Sequence, residues 1–293
     1  MSLKILWLEN KGLYSSKRAI QAGRELGIQV DNLAITDLSF ITNGKSIGIF
    51  NGSENVCNTY DDLIMRTFSP HISEALTVAR LFKDAGKVVI DLNLTEEGYS
   101  ISKMHDYLIL AENGIPVPRT WQFFDSSKIE DQIRNLNYPF ILKGIHGAEG
   151  KNVHKIENRI QFDKIISEYE FGELLFQEYI PAEEDFRLMV VGYKALSLLV
   201  KRKPAPGEFR TNFNFNEEVI PLSTNDFPEL REIAEKSARI LKREFTGIDI
   251  RFTENRPMIL EVHRRPGFKQ FEEITKLDVA EEFIKYVSSK CRA

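Results

Sequence analysis

The chain has 293 residues, a net charge of −4, 42% hydrophobic and 28% charged residues, and 11 prolines. These proportions exclude a disordered or low-complexity chain and give no general basis for binding nucleic acid or an anionic membrane surface. Cys57 and Cys291 have no metal-type spacing and form no disulfide framework, so a reducing, cytoplasmic setting is expected.

The length is too great for one ordinary core and predicts two or three subdomains sharing surfaces. The opening apolar run in MSLKILWLENKG is too short for a signal peptide or a membrane span, and no later run is long enough. KILWL, Lys4 to Leu8, reads as a strand, followed by a helix in SSKRAIQAGRELG with Ser16 as its cap and Gly27 as its stop, and by a strand in IQVDNLAI. This β-α-β opening predicts a parallel sheet. The rhythm continues through DDLIMRTF, a helix from about Ser73 to Ala85, and the strand KVVIDL, giving a small α/β unit over residues 1–95. A helix capped by Ser102 and stopped by Gly114 leads into a new strand and marks a domain joint. From Tyr138 the order is strand, glycine turn, strand (YPFILKG, IHGAEG, KNVHKI), then a helix around Gln161 to Tyr169 and the strand ELLFQEYI. FRLMVVGYKALSLLVKR suits a hairpin turning at Gly192. PELREIAEKSARILKREF has helical spacing, and GIDIRF and PMILEVH read as strands.

Candidate chemistry concentrates in the last third. Asp249 in GIDIRF and Glu261 in PMILEVH lie on strand segments joined by a short turn. Antiparallel pairing would bring Asp249 to Glu261 and His263, the last two pointing to one face. Converging carboxylates repel unless a cation bridges them, and hard oxygen ligands suit Mg²⁺. The alternative is a salt bridge to Arg251, Arg264 or Arg265. The glycine turn GIHGAEG, with Gly147 and Gly150, lies between strands and is neither a P-loop nor a dinucleotide fingerprint, but its backbone N–H groups and Lys143 could face phosphates. Lys103 at a helix start opposes the macrodipole unless an anion is near. Lys201 to Lys203 read as a solvated basic run, whereas Arg210 with Asn212 after Gly207 offers a forked guanidinium for phosphate.

Taken in order, LYSSKRAIQAG, ISKMHDYLILAENGIPVP, PFILKGIHGAEGKNV, QEYIPAEEDFRLMVVG, GEFRTNFN, TGIDIRF and LEVHRRPGF resemble the RimK-type branch of the ATP-grasp superfamily, peptide-forming glutamate ligases and their relatives, over about residues 3 to 287. The resemblance implies a combined α/β and α+β architecture: an N-terminal α/β (pre-ATP-grasp) domain over 1–95, a linker helix and central lid over 96–187, and a C-terminal mixed-sheet domain over 188–293. ATP would be gripped between the last two. It implies phosphate contacts from Lys103, Lys143 and the loop glycines Gly147 and Gly150, with Lys201 also on the nucleotide. Glu178, Tyr179 and Ile180 would line the adenine, and Asp185 would be the ribose-side acid. Arg187, Arg210 and Asn212 would contact phosphate or acyl phosphate, and Asp249, Glu261 and His263 would hold the metal.

The expected reaction is amide formation through an acyl phosphate, with ATP and Mg²⁺ (or Mn²⁺), on an amino acid, a peptide or a protein C-terminus. A homo-oligomer is implied, with no nucleic-acid or membrane partner. The sequence departs from relatives at His263, where Asn is common, and at Arg264 and Arg265, where small residues precede Pro-Gly; the two arginines would fill substrate space or bind an acidic substrate. FNFNEEV also replaces a basic, glycine-rich stretch. A catalytically silent ATP-binding protein and an ATP-dependent phosphotransferase are the alternatives.

Overall fold

The computed structural model describes residues 3–42, 44, 47–96, 102–125, 129, 137–145, 152–169, 172–181, 183–211, 216–253 and 256–291. Apolar residues in β1 (Lys4–Leu8) are buried on both faces, as a central parallel strand requires. It pairs in parallel with β2 (Gln29–Leu33). Between them α1 (Tyr14–Glu25) covers one face and ends before Gly27, whose φ of +70° only glycine adopts without cost. Ser16 is not its cap. The helix begins earlier, after Leu13, and Ser16 Oγ donates back to the Leu13 carbonyl at 3.0 Å from inside the first turn.

A short antiparallel meander follows: β3 (Ser39–Thr42), β4 (Ile47–Asn51) and β5 (Glu54–Asn55). Then come α2 (Val56–Thr59), β6 (Asp62–Met65), α3 (Ile72–Asp84) and β7 (Val88–Ile90). The first sheet has the order β2-β1-β6-β7 and is parallel throughout.

Ser102 caps α4 (Lys103–Glu112), accepting from the His105 N–H, as the sequence predicts. The helix leads to β8 (Thr120–Gln122), an edge of a second, antiparallel sheet with β9 (Phe140–Gly144), β10 (Val153–Ile156) and β11 (Leu174–Glu178), ordered β10-β9-β11-β8. Helix α5 (Arg159–Ile166) packs Phe162 against Phe140 and Phe176. Residues 146–150 of the expected glycine turn, with Gly147 and Gly150, lie outside the described residues, as does Asn212.

The third main sheet is antiparallel, ordered β14-β13-β12-β15-β16. It comprises β12 (Asp185–Val191), β13 (Lys194–Pro204), β14 (Asn216–Ser223), β15 (Phe245–Thr253) and β16 (Arg256–His263). The boundary expected at 187/188 falls inside β12, so the change of sheet lies before Asp185. Helix α6 (Pro228–Ile240) packs Leu230, Ala234 and Ala238 on one face of this sheet. Two further helices, α7 (Lys269–Thr275) and α8 (Val279–Lys290), follow β16. On α8, Phe283 stacks on Phe245 with ring centroids 4.1 Å apart and meets Trp7 of β1 edge-on. One apolar core thus joins the first sheet to the third and brings the end of β16 against the end of β6, where Arg66 Nη2 donates to the Pro266 carbonyl at 2.8 Å. Among the described residues no helix is long and apolar enough to cross a membrane.

Candidate active site

The antiparallel pairing of β15 and β16 puts Asp249 directly opposite Glu261 and Gly247 opposite His263. A register shift after Asp249 leaves Leu260 out of the ladder, and its carbonyl accepts from Tyr107 Oη of α4 at 2.7 Å. The imidazole of His263 lies between the two carboxylates, Nε2 2.7 Å from Asp249 Oδ2 and Nδ1 3.5 Å from Glu261 Oε1. Lys103 Nζ stands 3.5 Å from the same Glu261 oxygen. Lys143, on β9, donates to Tyr107 Oη at 3.5 Å. Burial lowers the Lys143 pKa, and the Glu261 and Asp249 carboxylates oppose that shift. Lys103, Lys143, Asp249, Glu261 and His263 are therefore brought together from α4 and two sheets.

Arginines complete the cluster. Arg187 Nη1 donates to Asp249 Oδ2 at 2.8 Å and Arg202 Nη2 to Oδ1 at 2.6 Å. Burial resists ionisation of Asp249, but Arg187 and Arg202 overcome it and hold the acid well below the usual carboxylate range. The salt-bridge alternative thus holds at Asp249, although with Arg187 and Arg202 rather than with Arg251, Arg264 or Arg265. Burial likewise resists ionisation of Glu261, whose pKa is lowered by His263, Lys103 and Lys143.

Asp185, expected beside the ribose, is 1% exposed, with Oδ1 accepting from Arg202 Nε at 2.8 Å and Oδ2 from Thr211 Oγ1. Both carboxylate oxygens are thus engaged within the protein, one of them by Arg202. Burial pushes the Asp185 pKa up to about 6 even with that partner.

The remaining candidates lie at the ends of the second-sheet strands, on the third sheet and in the segments that follow them. Glu178 accepts from Arg119 Nε at 2.7 Å and from the Arg119 N–H at 2.8 Å. The ring of Tyr179 carries Lys155 Nζ 4.7 Å from its centroid, and the Ile180 carbonyl accepts from Arg251 Nη1 at 2.8 Å. Lys201 Nζ lies 3.1 Å from Glu184. The guanidinium of Arg210 makes two bonds to Glu208, Nε to Oε1 at 3.0 Å and Nη2 to Oε2 at 2.8 Å, and holds that acid down at about 2. Burial lowers the pKa of His154 on β10, Glu168 opposes that shift and the positive charge of Arg210 adds to it.

Arg202 and Tyr107 touch the cluster and motif reading passes over them, while Arg251, weighed from sequence as a partner for Asp249 or Glu261, lies 3.8 Å from Asp185 instead. For Arg202 a signal was present: period-two alternation in the strand SLLVKRK turns Arg202 inward between outward Lys201 and Lys203.

The arrangement is suited to a polyanion. Lys103, Lys143, Arg187, Arg202 and Arg251 outnumber Asp185, Asp249 and Glu261 within one cluster. Among the described residues no three His, Cys, Asp or Glu side chains stand as a preformed metal cluster. The donor chemistry still fits a hard divalent ion. A carboxylate has about four lone-pair sites, and Arg187, Arg202 and His263 engage three at Asp249. Coordination by His263 requires the ring to release one carboxylate.

Comparison with known proteins is consistent across the chain. Residues 101–287 match the model of the RimK-like ATP-grasp domain. A "Probable alpha-L-glutamate ligase" from Marinomonas sp. (strain MWYL1) is 30% identical over 290 residues, covering 95% of this chain and 92% of its own. The protein of that name from Psychromonas ingrahamii (strain DSM 17664 / CCUG 51855 / 37) is 28% identical over 302 residues, 99% of this chain and 97% of its own. Among solved structures, the ATP-grasp ligase PsnB complexed with a phosphomimetic variant of its minimal precursor, Mg and ADP aligns with a TM-score of 0.76 at 15% identity, over 99% of both chains. The D-alanine–D-alanine ligase of Bacillus anthracis aligns with a TM-score of 0.66 at 15% identity, also over 99% of both. At such identities these structures establish the shared fold.

Proposed function

The chain belongs to the RimK-like ATP-grasp family of ligases, which form C–N bonds, and on that premise we propose that it joins an amine to the carboxylate of an amino acid, a peptide or a protein C-terminus, driven by ATP through an acyl phosphate. Glutamate, named for the relatives, is the first amino acid to try.

One observation carries the reading: cations in excess of carboxylates gather around a ladder where two acids from neighbouring strands face each other. The substrate carboxylate attacks the γ-phosphorus, the bond to the β–γ bridging oxygen breaks, and ADP leaves. Two anions approach only where fixed cations screen them. Lys103 and Lys143 are placed to take phosphate oxygens, and Arg187 and Arg202 keep Asp249 ionised beside them. Asp249 and Glu261 would hold Mg²⁺, which when bound supplies charge neutralisation for the triphosphate. The amine then attacks the activated carbonyl, phosphate departs and the nitrogen loses a proton. Arg210, once released from Glu208, is the donor suited to that oxyanion, while Glu178 to Ile180 line the base end.

Carboxylate substrate labelled with ¹⁸O tests this. Incubation with Mg²⁺, ATP and amino acids or peptides should release ADP, a new amide and phosphate carrying one label. ADP with a stable phosphorylated product would indicate phosphoryl transfer instead. A silent binder has one observation in its favour, the prior pairing of Asp249 with Arg187 and Arg202 and of Arg210 with Glu208, and it would bind ATP without releasing ADP.

A further inference from the structure

Arg264 and Arg265 follow His263 directly, yet their side chains part. Arg265 is exposed, with Nη1 3.4 Å from the Arg66 carbonyl at the end of β6. Arg264 turns the other way, onto α4. Its Nη2 donates to Asp106 Oδ1 at 2.6 Å and lies 3.4 Å from the carbonyl of Ser102, the residue that caps the helix.

Asp106 Oδ1 has a second guanidinium. Arg243, 2% exposed, donates to it through Nη2 at 2.7 Å and to the Val262 carbonyl through Nη1 at 2.8 Å. One buried carboxylate oxygen on α4 is thus tied to β16 by two routes, through Arg264 just after the strand and through Arg243, which also holds the Val262 carbonyl. Asp106 is three residues beyond Lys103, so the two share a face of the helix. What holds Asp106 therefore sets where Lys103 starts from, and Lys103 Nζ stands 3.5 Å from Glu261 Oε1.

We propose that Arg264 is a positioning residue: through Asp106 and the Ser102 carbonyl it fixes the first turn of α4 against β16, and so aims Lys103 at the phosphates of ATP. This role differs from the one expected from sequence, filling the substrate pocket or taking an acidic substrate. Lysine is a point charge on a flexible stem, so its contact with phosphate depends on the placement of its backbone. Arg243 alone braces the Asp106 oxygen and leaves the cap residue unheld; Arg264 spans both. The inference rests on the ligase reading above, because it needs a nucleotide at Lys103.

The test is calorimetric titration of the full chain with Mg²⁺ and a non-hydrolysable ATP analogue, with amide exchange followed over residues 102–107. Arg264→Ser should weaken analogue binding about tenfold, equivalent to about 1.4 kcal/mol, and speed exchange in that turn. The KM values for the carboxylate and amine should stay put. Arg264→Lys should recover most of the affinity, since an ammonium still reaches Asp106. Asp106→Asn should weaken binding in the same direction, and adding Arg264→Ser to it should cost little more. If Arg264→Ser does not fold, the lysine and Asp106→Asn variants carry the test. Wild-type affinity in Arg264→Ser, or a rise confined to the KM of the carboxylate or amine, overturns the proposal alone. A wild-type chain that binds no analogue overturns the ligase reading, and this proposal with it.

Discussion

Arg202→Met isolates the electrostatics that hold the ladder. The guanidinium is 4% exposed and lies between two acids, with Nε 2.8 Å from Asp185 and Nη2 2.6 Å from Asp249. Methionine follows the arginine stem but donates nothing. Removing one partner from a buried ion pair costs about 3–5 kcal/mol, because the other charge is left behind. Two contributions respond differently to pH. The folded pKa of Asp249 is depressed, so its pairing stabilises the fold above the unfolded carboxylate pKa and is lost only as pH falls through the lower, folded value. Weakening that pairing lowers stability by a similar amount at pH 5 and pH 8. The folded pKa of Asp185 is raised by burial from 3.8 to about 6, so its contribution is full below the unfolded value and fades as pH rises through the folded one. Without Arg202 that pKa climbs further, and ionised Asp185 becomes costlier at pH 8 while remaining protonated at pH 5. The deficit of the variant should therefore grow with pH. Urea unfolding should place its midpoint roughly 1–2 M below wild type at pH 8, and by visibly less at pH 5. Adding Asp185→Asn should recover a large part of the pH 8 loss, since neither partner then stays unpaired. A deficit equal at both pH values, or under about 1 kcal/mol at pH 8, would refute the reasoning.

Glu261→Gln removes one proposed metal oxygen and the acid facing Lys103 while keeping the shape of the ladder; ADP release at saturating Mg²⁺ should fall on the order of 100-fold or more, with the urea midpoint little changed. Lys143→Met trades a cation whose pKa is lowered by burial for an apolar chain of similar length, so thermal unfolding should show no loss of stability while affinity for the ATP analogue drops. Asp91→Asn keeps an oxygen for the Glu244 and Phe245 N–H groups, at 2.7 and 2.9 Å, and removes a charge. Because burial raises the Asp91 pKa from 3.8 to about 7, its contribution is present at low pH and lost as pH passes 7. The asparagine variant should thus gain on wild type progressively above about pH 4, by about 2–3 kcal/mol more at pH 8.5 than at pH 5, read from urea midpoints.

What could be read from the sequence was what local periodicity and short turns determine. Asp249 and Glu261 were legible as partners because a short turn between two apolar strands fixes an antiparallel register within narrow limits. The helix carrying Lys103 was legible from its serine cap. Arg202 was hidden by lysines on either side, which make an inward strand position look like part of a solvated run. The partner of Asp185 was not legible, because a carboxylate at the start of a strand looks the same whether it faces a ligand or an arginine; only the fold supplies Arg202, seventeen positions away. The contacts of Asp106 lie 137 and 158 positions along the chain, beyond any local signal. In the meander, β3 is exposed along its length and β5 has two residues, so neither shows the alternation that betrays a half-buried strand.

The concentration of charge at the end of β16 follows from where that end lies. Two carboxylates on facing rungs of a ladder repel each other, so a chain that must fold before it meets a cation needs partners for them built in. Asp249 has two arginines on strands β12 and β13, within its own sheet. Glu261 has a histidine beside it and a lysine at 3.5 Å, looser company than the 2.6 and 2.8 Å bonds at Asp249. On the proposed reading, a polyanion arriving at Lys103 would compete with Glu261 for that lysine, and each phosphate contact would free the glutamate to take a cation. Nucleotide and metal would then be coupled through Lys103, each strengthening the other's binding by the same factor. The role proposed for Arg264 fits this logic, since a lysine that must change partners needs a fixed point from which to do so.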